Sequence, residues 1–158
     1  MPELVRSVVV AAPATTTWLA ATDWAAQGRW IPATVVQVGA GRGTATRGVE
    51  SGVGVRLVAR TGFGPFRFAD PMEITGWDPP RRCEVRHHGR VVRGTGAFEV
   101  RSLAGDRSEF IWCEWLELPF GMGHAWAWRL LRPVSEWAVD VALRRFAAWA
   151  PSHPGVAD

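Results

Sequence analysis

Apolar and polar positions change their period twice along the chain. Leu4 to Val10 is a short valine-rich run and reads as a first strand. Pro13 then opens a short helix in which Trp18, Leu19 and Ala21 share one side. A second turn starts at the cap-like pair Thr22-Asp23 and stops at Gly28, so the segment ending at Pro32 predicts two small helices. From Ala33 to Leu118 the period becomes two: "ATVVQV", "VGVRLVAR", "FRFADPMEITGW", "RRCEVRHH", "VVRGTGAFEV" and "SEFIWCEWLEL" alternate, with turn signals at "TGFG", "WDPP", "HHGR" and "LAGD". Strands joined this tightly predict an antiparallel sheet.

Beyond Leu118 the pattern is helical. With 100° per residue, Trp137, Ala138, Val141, Ala148 and Trp149 fall within about 60° of Val134. That arc is expected to face the sheet, leaving Glu136, Asp140 and Arg144 solvated, with Asp140 and Arg144 as an i,i+4 pair. Pro133 either starts this helix or kinks one begun near Met122. The pattern predicts one α+β domain over residues 1–150 and a frayed tail over 151–158.

Composition narrows the function classes. The 158 residues carry 18 basic side chains, all arginine, and a net charge of only +3. Lysine, tyrosine and asparagine are absent, which fits a high-GC bacterial genome, and the arginines are scattered rather than clustered. No nucleic-acid-binding face is expected from such a distribution. Glu3 and Arg6 interrupt the first apolar run, so it reads as a strand rather than a leader. No apolar run reaches the ~18 residues of a membrane span, and no integral membrane association is expected. Cys83 and Cys113 read as two reduced thiols of a cytoplasmic protein. The glycine-rich "GAGRGTATRG" fails the dinucleotide-loop spacing and reads as a mobile hairpin connection near a cavity mouth. Cys83 and His87 stand ~13 Å apart along one strand, too far to grip a metal by themselves. No metal and no cofactor are expected. His124 and His153 are expected in exposed connections.

The order of elements resembles the START-like helix-grip superfamily (SRPBCC), which includes polyketide cyclases/dehydrases, lipid-transfer domains and pollen-allergen-like proteins. The similarity is to its bacterial polyketide cyclase/dehydrase and lipid-transport branch. It is carried by "AAPATTTWLAATDWAAQGRWIP", "SGVGVRLVAR", "ITGWDPPRRCEVRHHG", "VVRGTGAFEV" and "FIWCEWLELPFGMG", and spans Leu4 to Trp149. The resemblance implies a curved antiparallel sheet of about seven strands wrapped around a long C-terminal helix. It also implies a cavity between them for a lipid, polyketide, isoprenoid or aromatic metabolite. It carries no universal catalytic motif. Three functions follow as expectations: a binder of a hydrophobic small molecule, a polyketide cyclase/dehydratase-type enzyme, and a protein-partner module.

Strand alternation assigns the residues facing such a cavity. The last strand turns Phe110, Trp112, Glu114, Leu116 and Leu118 inward, which makes Glu114 a polar outlier. Val85 and His87 face in from "CEVRHH". Val92, Gly94, Gly96 and Phe98 face in from "VVRGTGAFEV", the glycines leaving space. Phe66, Phe68, Asp70, Met72 and Ile74 share a face, with Asp70-Pro71 a candidate bulge. Trp18, Trp112 and Trp137 are expected to be mainly core, the last two also reaching the cavity. Trp24, Trp30, Trp126 and Trp128 are candidates for its walls or entrance, with Leu130 and Val141. Arg145 projects about 20° from Val134, inside the apolar arc, and there needs water or a partner. Glu114 is therefore expected to meet Arg145 or His87. Glu114, His87 and Asp70 are the candidate acid-base groups.

Overall fold

The computed structural model describes residues 3–39, 44–46, 49–117 and 125–154. Strand β1 (Glu3–Val10) is followed by helix α1 (Ala14–Ala21) and a 3-10 helix (Trp24–Arg29). Strands β2 (Thr34–Gly39), β3 (Thr44–Thr46), β4 (Val49–Ser51), β5 (Arg56–Phe63), β6 (Phe66–Asp78), β7 (Arg82–His88), β8 (Arg93–Leu103) and β9 (Arg107–Leu116) come next. Helix α2 (Ala125–Trp149) follows, and a 3-10 turn (Ala150–Ser152) lies at its end.

Seven strands form one antiparallel sheet in the order β1-β9-β8-β7-β6-β5-β2. Hairpins connect β5 through β9, and β1 closes on β9 from Glu3↔Trp115 to Val10↔Ser108. The two small helices carry the chain from one edge strand, β1, to the other, β2. Pro13 precedes α1, and the Asp23 carboxylate accepts from the Ala26 amide at 3.3 Å to start the 3-10 helix. The glycine-rich segment contains the small β3-β4 hairpin, while residues 40–43 and 47–48 lie outside the described residues. The bulge is not at Asp70-Pro71. Pairing with β5 runs unbroken there, and the register shift falls between Ile74 and Gly76.

The core is a tryptophan–phenylalanine cluster between sheet and α2. Trp30 is fully buried, with its ring centroid 4.9 Å from Phe146 and 5.9 Å from Phe110. Edge-to-face packing of this kind adds to plain burial. A hydroxyl pair, Thr17 with Ser108 at 2.7 Å, ties α1 to β9 in the same interior. On the outer face of the sheet Ile111 and Cys113 pack with Ala97 and Trp115 into a second, smaller cluster.

Helix α2 is rotated from its expected orientation. Val139, Ala142, Leu143 and Phe146 are the buried side, whereas Val134 and Trp137 are exposed. Asp140 is half-buried and takes a bidentate contact from Arg6 of β1, whose Nε lies 2.8 Å from Oδ1, while Arg144 is exposed as expected. Glu136 instead pairs with Arg132, and Pro133 lies inside the helix. The physical reason is that α2 carries two apolar arcs: Val139, Ala142, Leu143 and Phe146 pack inward, the first two also lining the cavity, while Trp137 and Val141 of the other arc lie at its border. The tail begins later than expected, since residues 150–152 form a 3-10 turn. The side chain of His153 is largely buried and bonded to Asp23 at 3.0 Å.

Candidate functional site

Between the concave face of the sheet and α2 lies a cavity of about 520 Å³. Strand alternation sends Asp70 from β6, His87 from β7 and Glu114 from β9 to its inner wall, and the three side chains join. His87 Nδ1 lies 2.8 Å from Asp70 Oδ2, and His87 Nε2 lies 3.1 Å from Glu114 Oε2. Trp112 donates its indole N–H to the other Glu114 oxygen at 2.7 Å. All three titratable groups are largely buried, with side-chain exposures of 10% for Asp70, 5% for His87 and 15% for Glu114.

The contact between His87 and Glu114 passes across β8, because β7 and β9 are not neighbours. Gly96 makes this possible. A Cβ there would lie 2.8 Å from Glu114 Oε2 and 3.1 Å from His87 Nε2. Gly94 serves a different purpose: its φ of +120° and a Cβ position 2.0 Å from the Trp115 carbonyl oxygen suit a close approach of β9.

Burial by itself disfavours the imidazolium of His87. Hydrogen bonds to Asp70 and Glu114, with the charges of both, outweigh it and raise the group to about 10. At neutral pH His87 is therefore a cation held between two carboxylates, donating both N–H groups. It is a poor general base in that state. Asp70 and Glu114 both line the cavity; Asp70 Oδ1 is walled in without a hydrogen-bond partner among the described residues, and Glu114 is the more exposed of the two. Burial also pushes the Cys83 thiol up to about 12 and Cys113 to about 11, which removes both as nucleophiles at neutral pH.

Among the other expected cavity residues, Trp24, Phe68, Met72, Val85, Val92, Phe98, Trp112, Leu116, Trp137, Val141 and Arg145 line the space. Trp137 is 65% exposed and so borders the cavity rather than the core. Trp30 does not line it, being sealed in the aromatic cluster. Phe66 is 86% exposed at the β5-β6 hairpin end, and Trp126 and Leu130 are exposed on the first turns of α2; none of the three lines the cavity. Trp128 is likewise not among its walls, and Gly94 and Gly96 reach it only through the neighbours they admit. Arg145 does not meet Glu114; no ion pair holds it among the described residues. Leu118 and His124 lie outside the described residues. Gln27, Thr34, Ala59 and Thr61 line the cavity without having been singled out. Thr34 and Thr61 sit opposite each other on β2 and β5, a pairing only the register reveals. No group of three or more metal-ligating side chains with metal-site geometry occurs among the described residues. Nor is any described helix long and apolar enough to cross a membrane.

Similar architecture occurs in several solved structures. The Zhui aromatase/cyclase from Streptomyces sp. R1128 superposes with a TM-score of 0.72 at 16% identity, over 94% of this chain and 93% of that one. A START superfamily protein from Mycobacterium smegmatis gives 0.63 at 15% identity, over 95% and 94%. The di-domain ARO/CYC BexL of the BE-7585A biosynthetic pathway gives 0.68 at 17% identity, over 92% of this chain and 46% of that one. No family model and no curated protein matches the sequence. The class these relationships define is a fold: the chain has the START-like helix-grip architecture, a seven-stranded antiparallel sheet around a long C-terminal helix.

Proposed function

We propose that this protein binds a hydrophobic, ring-bearing small molecule in the cavity between sheet and α2, in a cytoplasmic setting. The candidate classes are lipid, polyketide, isoprenoid and aromatic metabolite. The observation that carries this reading is a cavity of about 520 Å³ with aromatic walls, among them Trp24, Phe68, Phe98 and Trp112, and the Asp70–His87–Glu114 cluster on its inner side. That volume and a largely apolar lining are typical of small-molecule sites. Native mass spectrometry of the purified protein, with identification of any co-purifying molecule, tests it. Titration with apolar ring compounds followed by tryptophan fluorescence tests it independently. Absence of both a co-purified molecule and any quenching defeats the proposal.

A second reading, a polyketide cyclase/dehydratase-type enzyme, is favoured by the buried Asp70–His87–Glu114 cluster. Glu114 would take a proton from carbon beside a carbonyl and return it to a departing hydroxyl, which leaves as water. His87 and Asp70 would act as positioning residues that hold Glu114 in place. Glu114→Gln distinguishes the readings. Loss of turnover on a linear poly-β-ketone thioester, with binding kept, marks an enzyme, and no turnover in either protein marks a binder.

A further inference from the structure

The polar cluster in the cavity is one-sided in its hydrogen bonding. His87 commits both ring N–H groups to carboxylates, and Trp112 commits its one indole N–H. Glu114 accepts one hydrogen bond at each oxygen, whereas a carboxylate offers about four acceptor positions. Its side chain keeps 15% exposure and lines the cavity. Toward the cavity the cluster thus presents acceptor capacity and no spare donor. A carbonyl or carboxylate oxygen placed there would face lone pairs with lone pairs, at a cost a buried site does not offset.

Resting on the reading of this cavity as a ligand site, we propose that its ligand is a ring-bearing apolar compound with a neutral phenolic or enolic hydroxyl that donates to Glu114. Hydrogen bonds to a charged acceptor in a largely buried site are the strong ones, so one such hydroxyl fixes both register and specificity. An acceptor of this kind also suits an ammonium group, which donates as well. Arg145 decides between them. It lines the same cavity as an exposed side chain with no ion pair among the described residues, so an ammonium ligand would enter beside a like charge. A neutral hydroxyl meets no such opposition. Flat aromatic walls at Trp112 and Phe98, with ring centroids 5.4 Å apart, suit a ring carrying that hydroxyl.

Isothermal titration calorimetry with three probes tests this: 2-naphthol, 2-methoxynaphthalene and 2-(aminomethyl)naphthalene, against the natural protein and Glu114→Gln. Naphthol is expected to bind about tenfold or more tightly than its methyl ether. In Glu114→Gln the gap is expected to shrink to within about threefold. Equal binding of naphthol and ether by the natural protein overturns the hydroxyl assignment while leaving the cavity a ligand site. Tightest binding of the amine overturns it in favour of a cation. A preference unchanged in Glu114→Gln removes Glu114 as the acceptor. Binding of none of the three overturns the hydroxyl assignment together with the ligand-site reading beneath it.

Discussion

His87 Nε2 on β7 lies 3.1 Å from Glu114 Oε2 on β9, with Gly96 of the intervening strand against both groups. One contact thus joins non-adjacent strands inside a cavity, and its existence depends on a missing side chain. Gly96→Ala is the direct test. Its Cβ would displace the Glu114 carboxylate, and a loss of about 1–3 kcal/mol in urea denaturation is expected, together with a fall in the His87 titration midpoint. Gly64→Ala is the control. Its φ of +54° brings some backbone strain, but nothing lies within 4 Å, and the His87 midpoint should not move.

The charge of His87 makes stability depend on pH. Its folded value, raised to about 10, lies above the ordinary value of 6.5. The stabilisation is complete below about 6.5 and declines as pH rises through the folded value, because the unfolded state loses the proton first. The expected slope is at most about 1.4 kcal/mol per pH unit between those limits. Urea midpoints at pH 6.5, 8 and 9.5 should fall in that order, and NMR of the His87 ring should show no titration near 6.5. In Glu114→Gln the ring should titrate at lower pH.

The two apolar arcs of α2 should separate in a mutational comparison. Phe146→Ala, in the sealed aromatic cluster, is expected to cost about 3–5 kcal/mol. Trp137→Ala, at a side chain 65% exposed, should change stability by less than about 0.5 kcal/mol while weakening binding of apolar ring compounds. Equal stability losses would contradict the helix orientation.

Cys83 and Cys113 should resist a thiol reagent at pH 8 in the folded protein, since burial holds both thiols well above that pH. Labelling should appear only with unfolding. Fast labelling in native buffer would show that these strands open locally.

Much of this was legible in the residues. Period-two runs between turn signals marked the sheet strands, and the alternation along β9 singled out Glu114 as an inward polar outlier with His87 as a candidate partner. Asp70 was also a candidate, yet nothing local joined it to the other two. That junction depends on the register Met72↔His87, on the shift between Ile74 and Gly76, and on β8 lying between β7 and β9. The helix was harder to read. Val134, Trp137 and Val141 make as good an apolar arc as Val139, Leu143 and Phe146, and periodicity does not rank two arcs on one helix. Phe66 likewise followed the inward alternation but sits at a hairpin end, where no opposing layer covers it.

The sequence by itself determined the element order, the antiparallel pairing and the faces of most strands. Those follow from local periodicity, turn chemistry and the need to hide apolar surface. Only the tertiary structure decided which face of α2 meets the sheet and that three buried ionisable groups on three strands form one cluster. It also decided that Arg145 is left out of that cluster. These outcomes turn on register and on distances between residues far apart in the chain, where a shift of one position sends a side chain to the opposite face.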